Sequence, residues 1–207
     1  MDADYIWIKN IDNILLTLAN EEGEKWMQIL AGHLLKVQKE IFYHLSTLEQ
    51  YKTETNFNEI INFIKLHFDQ DYSLEESAQM PNEVLYDYLF RPLRICGMIP
   101  NEGAKGGGPF WKKDARGKSL QIIEGVELDS QNQDHQKAIN ESSHFNPVMM
   151  VCGITNHKGE KFSLYDFRDD KRFMVSEKTF GASKIKILEW PGLWNGGMAS
   201  WNTLFIE

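Results

Sequence analysis

The run Pro147-Val-Met-Met-Val-Cys-Gly-Ile154 decides the fold class, because it is apolar throughout and is bounded by turn residues. Such a run is typical of a strand that is buried on both faces of a sheet. A second strand of this kind is predicted from Leu93 to Ile99, between Arg91-Pro92 and a glycine-rich loop. Buried strands of this type need helices to cover them, so the two runs predict a layered protein.

Amphipathic helices are predicted on both sides of these strands. From Glu21 to about Leu48, apolar residues recur at steps of three and four, with charged residues between them. The same pattern predicts a helix from Phe57 to Phe68, another after Pro81, and a short one from Gln133 to Glu141. Helices interleaved with buried strands predict an α/β fold, which we expect to form a single domain over residues 1–207.

Shorter strands complete the predicted architecture. Phe110-Trp111 and Ser119 to Glu124 are expected to pair around a turn, and the tail from Phe162 onward is expected to form short strands, the last from Thr203 to Ile206. Tyr5 to Lys9 reads as a strand almost at the first residue. A strand buried on both faces usually has sequence neighbours on both sides, so we expect that a segment upstream of it is missing.

Composition excludes several classes of protein. Hydrophobic residues make up 42% and charged residues 25% of the 207 residues, which is typical of a globular protein. The net charge of -8, without a basic cluster, argues against a nucleic-acid partner. The N-terminus carries Asp2 and Asp4 where a secretory signal would have a basic region, so no such signal is predicted. No apolar stretch of the sequence is long enough to span a membrane. Cys96 and Cys152 show neither disulfide nor zinc spacing, so a cytoplasmic location is expected.

Asn10-Ile-Asp12-Asn13 is the first candidate for chemistry. Ligands collect at the carboxyl ends of strands in open α/β sheets, and a carboxylate there suits Mg²⁺, which prefers oxygen ligands near phosphates. An Asx turn or a cap on the next segment would explain Asp12 and Asn13 equally well.

The glycine-rich loop Lys105-Gly-Gly-Gly-Pro109 is the second candidate. Glycines let a ligand approach the backbone, and a nearby lysine can neutralise phosphate. The loop leads into a strand, so it is neither a Walker loop nor a dinucleotide fingerprint, and a hairpin connection also explains it. Glu124, at the end of the next strand, could accept hydrogen bonds from sugar hydroxyls or form a solvated terminus.

Two further residues lie later in the chain. Asn146 offers a neutral oxygen ligand presented by a turn that Pro147 fixes, although turn chemistry alone also explains the pair. Lys178, with Lys171 and Arg172 close in sequence, could supply positive charge to a phosphate, or it could belong to a solvated face.

The order of these segments resembles that of UDP-sugar pyrophosphorylases. Asn10 to Asn13 is similar to the N-x-D-N segment of that family, and Gly107-Gly-Pro-Phe110 followed by Ser119 to Glu124 is similar to its sugar-binding region. Phe145-Asn146 resembles the start of a Phe-Asn-x-Asn-Asn segment whose later asparagines are absent here. The resemblance implies that Asp12 and Asn146 are magnesium ligands and that Asp12 and Lys178 are catalytic, with Lys178 contacting phosphate. It also implies that the sugar is bound by four residues: Gly107, Gly108, Glu124 and Asn146.

The chain more closely resembles a bacterial family named domain of unknown function 4301, and it is identified as a member. The hallmark segments span nearly the whole chain: Trp7 to Asn13, Arg91 to Met98, Gly106 to Trp111, Ser119 to Glu124, His144 to Pro147 and Pro191 to Gly196. Members are longer and carry an upstream glycine-containing segment, the presumed nucleotide loop, that has no counterpart here.

Together the resemblances imply a mixed sheet with flanking helices, of the nucleotide-diphospho-sugar transferase (GT-A, Rossmann-like) type, without its N-terminal nucleotide-binding part. The complete protein would use Mg²⁺ to transfer a nucleotidyl group from a nucleoside triphosphate to a sugar phosphate. The isolated chain is then expected to have little activity and to need its missing half or a homo-oligomer. The alternative is a non-catalytic module that binds a sugar phosphate, or a structural one that pairs with another subunit.

Overall fold

A computed structural model describes residues 3–9, 20–51, 57–68, 81–103, 106–114 and 117–207. The chain divides into two compact units: the first takes residues 1–97, 148–163 and 201–207, and the second takes 98–147 and 164–200. Each unit is assembled from segments that alternate along the chain. The prediction of a single domain over residues 1–207 therefore stays a prediction.

The elements follow one another in mixed α/β order. They are β1 (Tyr5–Lys9), α1 (Asn20–Gln50), α2 (Asn58–Phe68), α3 (Asn82–Leu89), β2 (Leu93–Gly97), β3 (Gly108–Asp114), β4 (Gly117–Ile123), α4 (Gln133–Asn140), β5 (Met149–Gly153), β6 (Met174–Phe180), β7 (Ser183–Glu189) and β8 (Asn202–Ile206). Short 3-10 turns cover Gly125–Glu127 and Leu164–Phe167.

The first unit is built on a four-stranded mixed sheet with the order β1-β5-β2-β8. β5 is antiparallel to both β1 and β2, whereas β2 is parallel to β8. In the centre of the sheet Ile95 lies opposite Val151 on one side and Leu204 on the other. The prediction of an α/β fold with a mixed sheet and flanking helices is confirmed.

Helix α1 covers one face of this sheet because its apolar residues recur at helical spacing. Its stripe is almost fully buried and comprises Leu30, Leu34, Val37, Ile41 and Leu45. The stripe belongs to one hydrophobic cluster with Ile95 and Val151 of the central strands. Each such side chain contributes roughly 1.5–3 kcal/mol by leaving water, so the α1 contact is the main source of cohesion in this unit.

Strand β1 differs from the prediction that it is buried on both faces. Among the described strands it lies at the edge of the sheet, paired with β5. Tyr5 is 40% and Trp7 56% exposed, while Ile6 and Ile8, which point the other way, are partly buried. The prediction was wrong because large apolar side chains at consecutive positions hide the alternation that marks a half-exposed strand.

The second unit consists of two antiparallel hairpins, β3–β4 and β6–β7, together with α4 and the connecting turns. Helix α4 begins where the Asn132 side chain accepts hydrogen bonds from the backbone N–H groups of Asp134 and His135, at 2.9 and 3.2 Å. The β3–β4 pairing places Gly108 opposite Ile123 and so brings the glycine-rich segment next to the residue that follows β4, Glu124.

No helix in the described part of the chain is long and apolar enough to cross a membrane. Both cysteines are buried and unbridged, as expected, and burial raises the pKa of Cys96 to about 11 and that of Cys152 to about 12.

Truncation of the α1 stripe tests this description of the core. Leu34→Ala is expected to lower the free energy of unfolding by about 3 kcal/mol, because it removes a fully buried side chain and leaves a cavity. Leu35→Ala, at the adjacent and 51% exposed position, is the matched control and should cost less than about 1 kcal/mol. Urea unfolding followed by circular dichroism measures both, and equal losses would contradict the packing.

Candidate functional site

Two glycines at the start of β3 lie against the backbone of two other segments. A Cβ atom on Gly107 would be 2.4 Å from the carbonyl oxygen of Ile123 and 2.9 Å from Oδ1 of Asn146. A Cβ atom on Gly108 would be 2.6 Å from the carbonyl oxygen of His144. A side-chain carbon cannot come so close to a backbone oxygen, so both positions require glycine. Their close approach brings the end of β4 together with the segment before β5.

Glu124 and Asn146 meet at this point. Asn146 donates a hydrogen bond from Nδ2 to Oε1 of Glu124, at 2.9 Å. Asn146 is only 8% exposed, and its Oδ1 is buried without a hydrogen-bond partner among the described residues. A buried acceptor without a partner is costly, so this oxygen would gain from a hydrogen-bond donor, a water molecule or a cation.

The orientation of Glu124 is set by the 3-10 turn that follows it. The backbone N–H of Glu127 donates to the carbonyl oxygen of Glu124 at 2.9 Å, and the backbone N–H of Glu124 donates to Oε2 of Glu127 at 3.0 Å. Reciprocal bonds of this kind satisfy the backbone groups at both ends of a short turn. The backbone from which the Glu124 carboxylate projects is therefore held from two sides.

A buried ion pair holds Glu127 in turn. Arg172 donates from Nε to Oε1 of Glu127 at 2.8 Å and from Nη2 to Oε2 at 2.7 Å, which is a bidentate contact. The side chains are only 9% and 12% exposed. Arg172 was one of the cations expected near a phosphate, but this contact commits its charge to Glu127.

The electrostatics of the site act mainly on Glu124. Burial raises the pKa of Glu124 above its ordinary value. The hydrogen bond from Asn146 lowers it, the Glu127 carboxylate raises it, and the Arg172 guanidinium lowers it, with a net rise. Glu124 is therefore a carboxylate that is incompletely solvated and that gains from a ligand donor.

Glu124 faces a cavity of about 720 Å³ within the second unit. Its lining combines apolar side chains with neutral polar groups and includes Asn101, Gly107, Phe110, Val126 and Ile139. No lysine or arginine of the described part of the chain lines it. A lining of this kind suits a neutral ligand that carries hydroxyl groups and an apolar face.

Lys178 and Asp12 are not brought to this cavity by the described structure. Lys178 lies on β6, is 57% exposed, and pairs with Oε1 of Glu189 at 3.1 Å. Asp12 lies outside the described residues, so its convergence with Asn146 remains a prediction. Among the residues that the structure describes, no group of three or more His, Cys, Asp or Glu side chains is placed to hold a metal.

Sequence reasoning missed Glu127 and the cavity side chains Val126 and Ile139, and it placed Phe110 in a segment that resembles a sugar-binding region without giving its side chain a role. One signal was available for Glu127, because a Glu-x-x-Glu spacing directly after a strand is compatible with a capped turn. The apolar lining had no such signal, because its members come from a strand, a turn and a helix that meet only in the folded chain.

Comparison with known proteins gives three findings. No curated protein sequence matches the chain. Among solved structures, it is similar to a mutant UDP-glucose pyrophosphorylase from Leishmania major in complex with UDP-glucose, at 12% identity and a TM-score of 0.30. The match covers 72% of this chain and 35% of that one, so the chain spans about a third of that enzyme's length, and the enzyme's function does not transfer at this level of similarity. The model of the domain of unknown function DUF4301 matches residues 1–207, which include Gly107, Glu124 and Asn146, and the chain therefore belongs to the DUF4301 family.

Proposed function

We propose that the chain supplies the sugar-binding part of a nucleotidyltransferase-like protein that joins a nucleotidyl group to a sugar phosphate. The observation that carries this proposal is the Glu124–Asn146 hydrogen bond of 2.9 Å, formed against a glycine segment beside a cavity whose described lining holds no lysine or arginine. The order of the motifs, which resembles that of UDP-sugar pyrophosphorylases, supports it.

Sugar recognition follows from the chemistry of the lining. A carboxylate can accept hydrogen bonds from two neighbouring hydroxyls, and the Glu124 carboxylate, which Asn146 engages at Oε1, would accept such bonds from the ligand. Phe110, Val126 and Ile139 offer apolar surface to the C–H face of a sugar ring. Gly107, where the backbone leaves no room for a side chain, lines the same cavity.

In the proposed reaction, an oxygen of the sugar 1-phosphate would attack the α-phosphorus of a nucleoside triphosphate. The new P–O bond forms as the bond to the leaving pyrophosphate breaks. Chemistry of this type requires little covalent help and depends on alignment and charge neutralisation. The share of this chain is to hold the sugar, with Lys178 meeting the phosphate in place of its present partner Glu189.

Magnesium belongs to the same proposal, with Asp12 and Asn146 as its protein ligands. The buried Oδ1 of Asn146, which has no partner among the described residues, fits a neutral oxygen donor. A bound Mg²⁺ would neutralise phosphate charge.

A second candidate is a module that binds a sugar phosphate without transferring anything. The observation in its favour is the cavity lining, which in its described part holds no lysine or arginine to manage a phosphoryl group during transfer. Both candidates require the same sugar-binding role of Glu124. Release of pyrophosphate from a nucleoside triphosphate and a sugar 1-phosphate separates them, since only the transferase releases it.

Glu124→Gln tests the sugar-binding role. The substitution keeps the shape but removes a charged acceptor, so we expect UDP-glucose to bind about tenfold more weakly in isothermal titration calorimetry. Wild-type binding should weaken as the pH falls through the raised pKa of Glu124, at a higher pH than for an ordinary glutamate, and the variant should lack this dependence. The folded state disfavours ionised Glu124, so the neutral variant should melt no lower at neutral pH.

The matched control is Glu141→Gln, which neutralises an exposed carboxylate of the same unit whose partner is Lys137. It should bind UDP-glucose as the wild type does. If Glu124→Gln also binds with unchanged affinity and pH dependence, Glu124 does not contact the ligand and the sugar-binding proposal is wrong.

Gly107→Ala tests the close approach itself. The new methyl group meets backbone atoms of Ile123 and Glu124 at 2.4 and 2.8 Å, so the Glu124 turn must move. We expect UDP-glucose affinity to fall about tenfold or more, because the carboxylate loses its alignment. Gly32→Ala, in α1 with no atom within 4 Å of the new carbon, is the control and should raise stability by about 0.5–1 kcal/mol without affecting binding.

The magnesium proposal predicts a linked thermal shift. With MgCl₂ and glucose 1-phosphate each at about ten times its dissociation constant, the melting temperature should rise by roughly 6–11 °C in total, because both ligands bind only the folded state. Asp12→Ala should abolish the part of the shift that depends on Mg²⁺. Asp166→Ala removes an exposed aspartate as the control. Equal shifts in all three proteins would exclude Asp12 as a ligand.

A further inference from the structure

The loop before β8 that contains Gly192, Asn195 and Gly196, here called the Asn195 loop, contacts the backbone of Arg172. Asn195 is 4% exposed, accepts a hydrogen bond from the N–H of Gly192 at 2.9 Å, and donates from Nδ2 to the carbonyl oxygen of Arg172 at 3.1 Å. Gly196 adopts a φ of 81°, and a Cβ atom there would lie 2.6 Å from Cβ of Arg172. The loop therefore packs against Arg172 with no free space between them.

The guanidinium of Arg172 is fixed at its other end. Besides its two bonds to Glu127, Nη2 donates to the carbonyl oxygen of Ile122 at 2.9 Å. Ile122 lies in β4 two residues before Glu124, so Arg172 contacts the strand before the site as well as the turn after it. A planar group with three such bonds has one available orientation.

These contacts form one continuous path within the second unit. It runs from Asn195 through Arg172 and Glu127 to the backbone N–H of Glu124, whose carboxylate then receives the bond from Asn146. Every link is a hydrogen bond of 3.1 Å or less.

We propose that Arg172 is a positioning residue that aligns Glu124 for its ligand, through Glu127 and the backbone of β4. The nature of the ligand rests on the proposed function, whereas the alignment of Glu124 does not. Stability alone does not account for the pair, because a buried ion pair replaced by apolar groups often leaves stability unchanged or higher. The contacts of the pair with the backbone N–H of Glu124 and with the carbonyl oxygen of Ile122 do account for its presence.

The test uses the full chain and two readouts, one without a ligand. Carbon-detected NMR follows the Glu124 carboxyl titration and the side-chain amide of Asn146, and calorimetry gives the Kd for UDP-glucose. Arg172→Met should raise the pKa of Glu124, shift the Asn146 amide signal and raise the Kd about tenfold, as loss of an orienting partner does. Arg172→Lys keeps the charge and should recover the pKa but only part of the affinity.

The double variant Arg172→Met/Glu127→Gln separates the effect of Arg172 on the alignment of Glu124 from its effect as a charge. It leaves neither member of the ion pair buried without its partner, so it also serves if the single variant fails to fold. Loss of the cation raises the pKa of Glu124 and loss of the anion lowers it, so the two electrostatic effects oppose each other in the double variant. The Kd should nevertheless remain about tenfold higher if Arg172 aligns the site. Wild-type affinity in the double variant would overturn the proposal.

Lys112→Met is the control, because it removes another partly buried ion pair of the same unit, to Asp169 at 3.1 Å, and leaves Glu127 intact. It should change neither readout. If the wild-type chain does not bind UDP-glucose, the proposed function fails. The side-chain amide signal of Asn146 then tests the positioning role of Arg172 without a ligand. A signal that does not move in the double variant would overturn that role, and a shifted signal would support it.

Discussion

The bidentate contact between Arg172 and Glu127 is the interaction on which the site depends. It joins residues 45 positions apart, and the same Glu127 oxygen that receives Nη2 also receives the backbone N–H of Glu124. Removing one partner of a buried pair leaves an uncompensated charge, at a cost of roughly 3–5 kcal/mol. The turn after Glu124 therefore depends on the Arg172–Glu127 ion pair, and so does the arrangement of Glu124 and Asn146.

Most elements of the fold could be predicted because their patterns are local. The stripe of α1 repeats at helical spacing over the whole of Asn20–Gln50, and the central strands β2 and β5 are short apolar runs bounded by turns. The order β1-β5-β2-β8 could not be predicted, because strand pairing joins residues far apart in sequence. The burial of β1 was misjudged for a related reason: Trp7 lies at an edge, and nothing in its own segment reports how many neighbours the strand has.

The candidate site likewise combines residues that local sequence patterns indicate with contacts that only the folded chain shows. Gly107, Glu124 and Asn146 each gave a weak local signal, and only the order of their motifs along the chain suggested that they belong together. Their meeting is a consequence of backbone approach at Gly107, which is a long-range contact. Arg172 was interpreted as one of several cations available to a phosphate, since its neighbours in sequence are charged. Its burial against Glu127 is set by residues of β4 and of the Asn195 loop, which local sequence does not reveal.

The placement of charges in the second unit separates two tasks of the proposed function. A sugar phosphate carries a neutral ring and an anionic group, and the described lining of the cavity, with Glu124 as its charged member, suits only the ring. An anion beside Glu124 would raise the pKa of that carboxylate further and weaken its hold on hydroxyls. In the proposed complex the phosphate would therefore lie away from Glu124, toward a cation outside the described lining such as Lys178. Under the proposed function, recognition of the sugar ring by Glu124 is separate from neutralisation of the phosphate, whereas Asn146, as a proposed ligand of Mg²⁺, would take part in both.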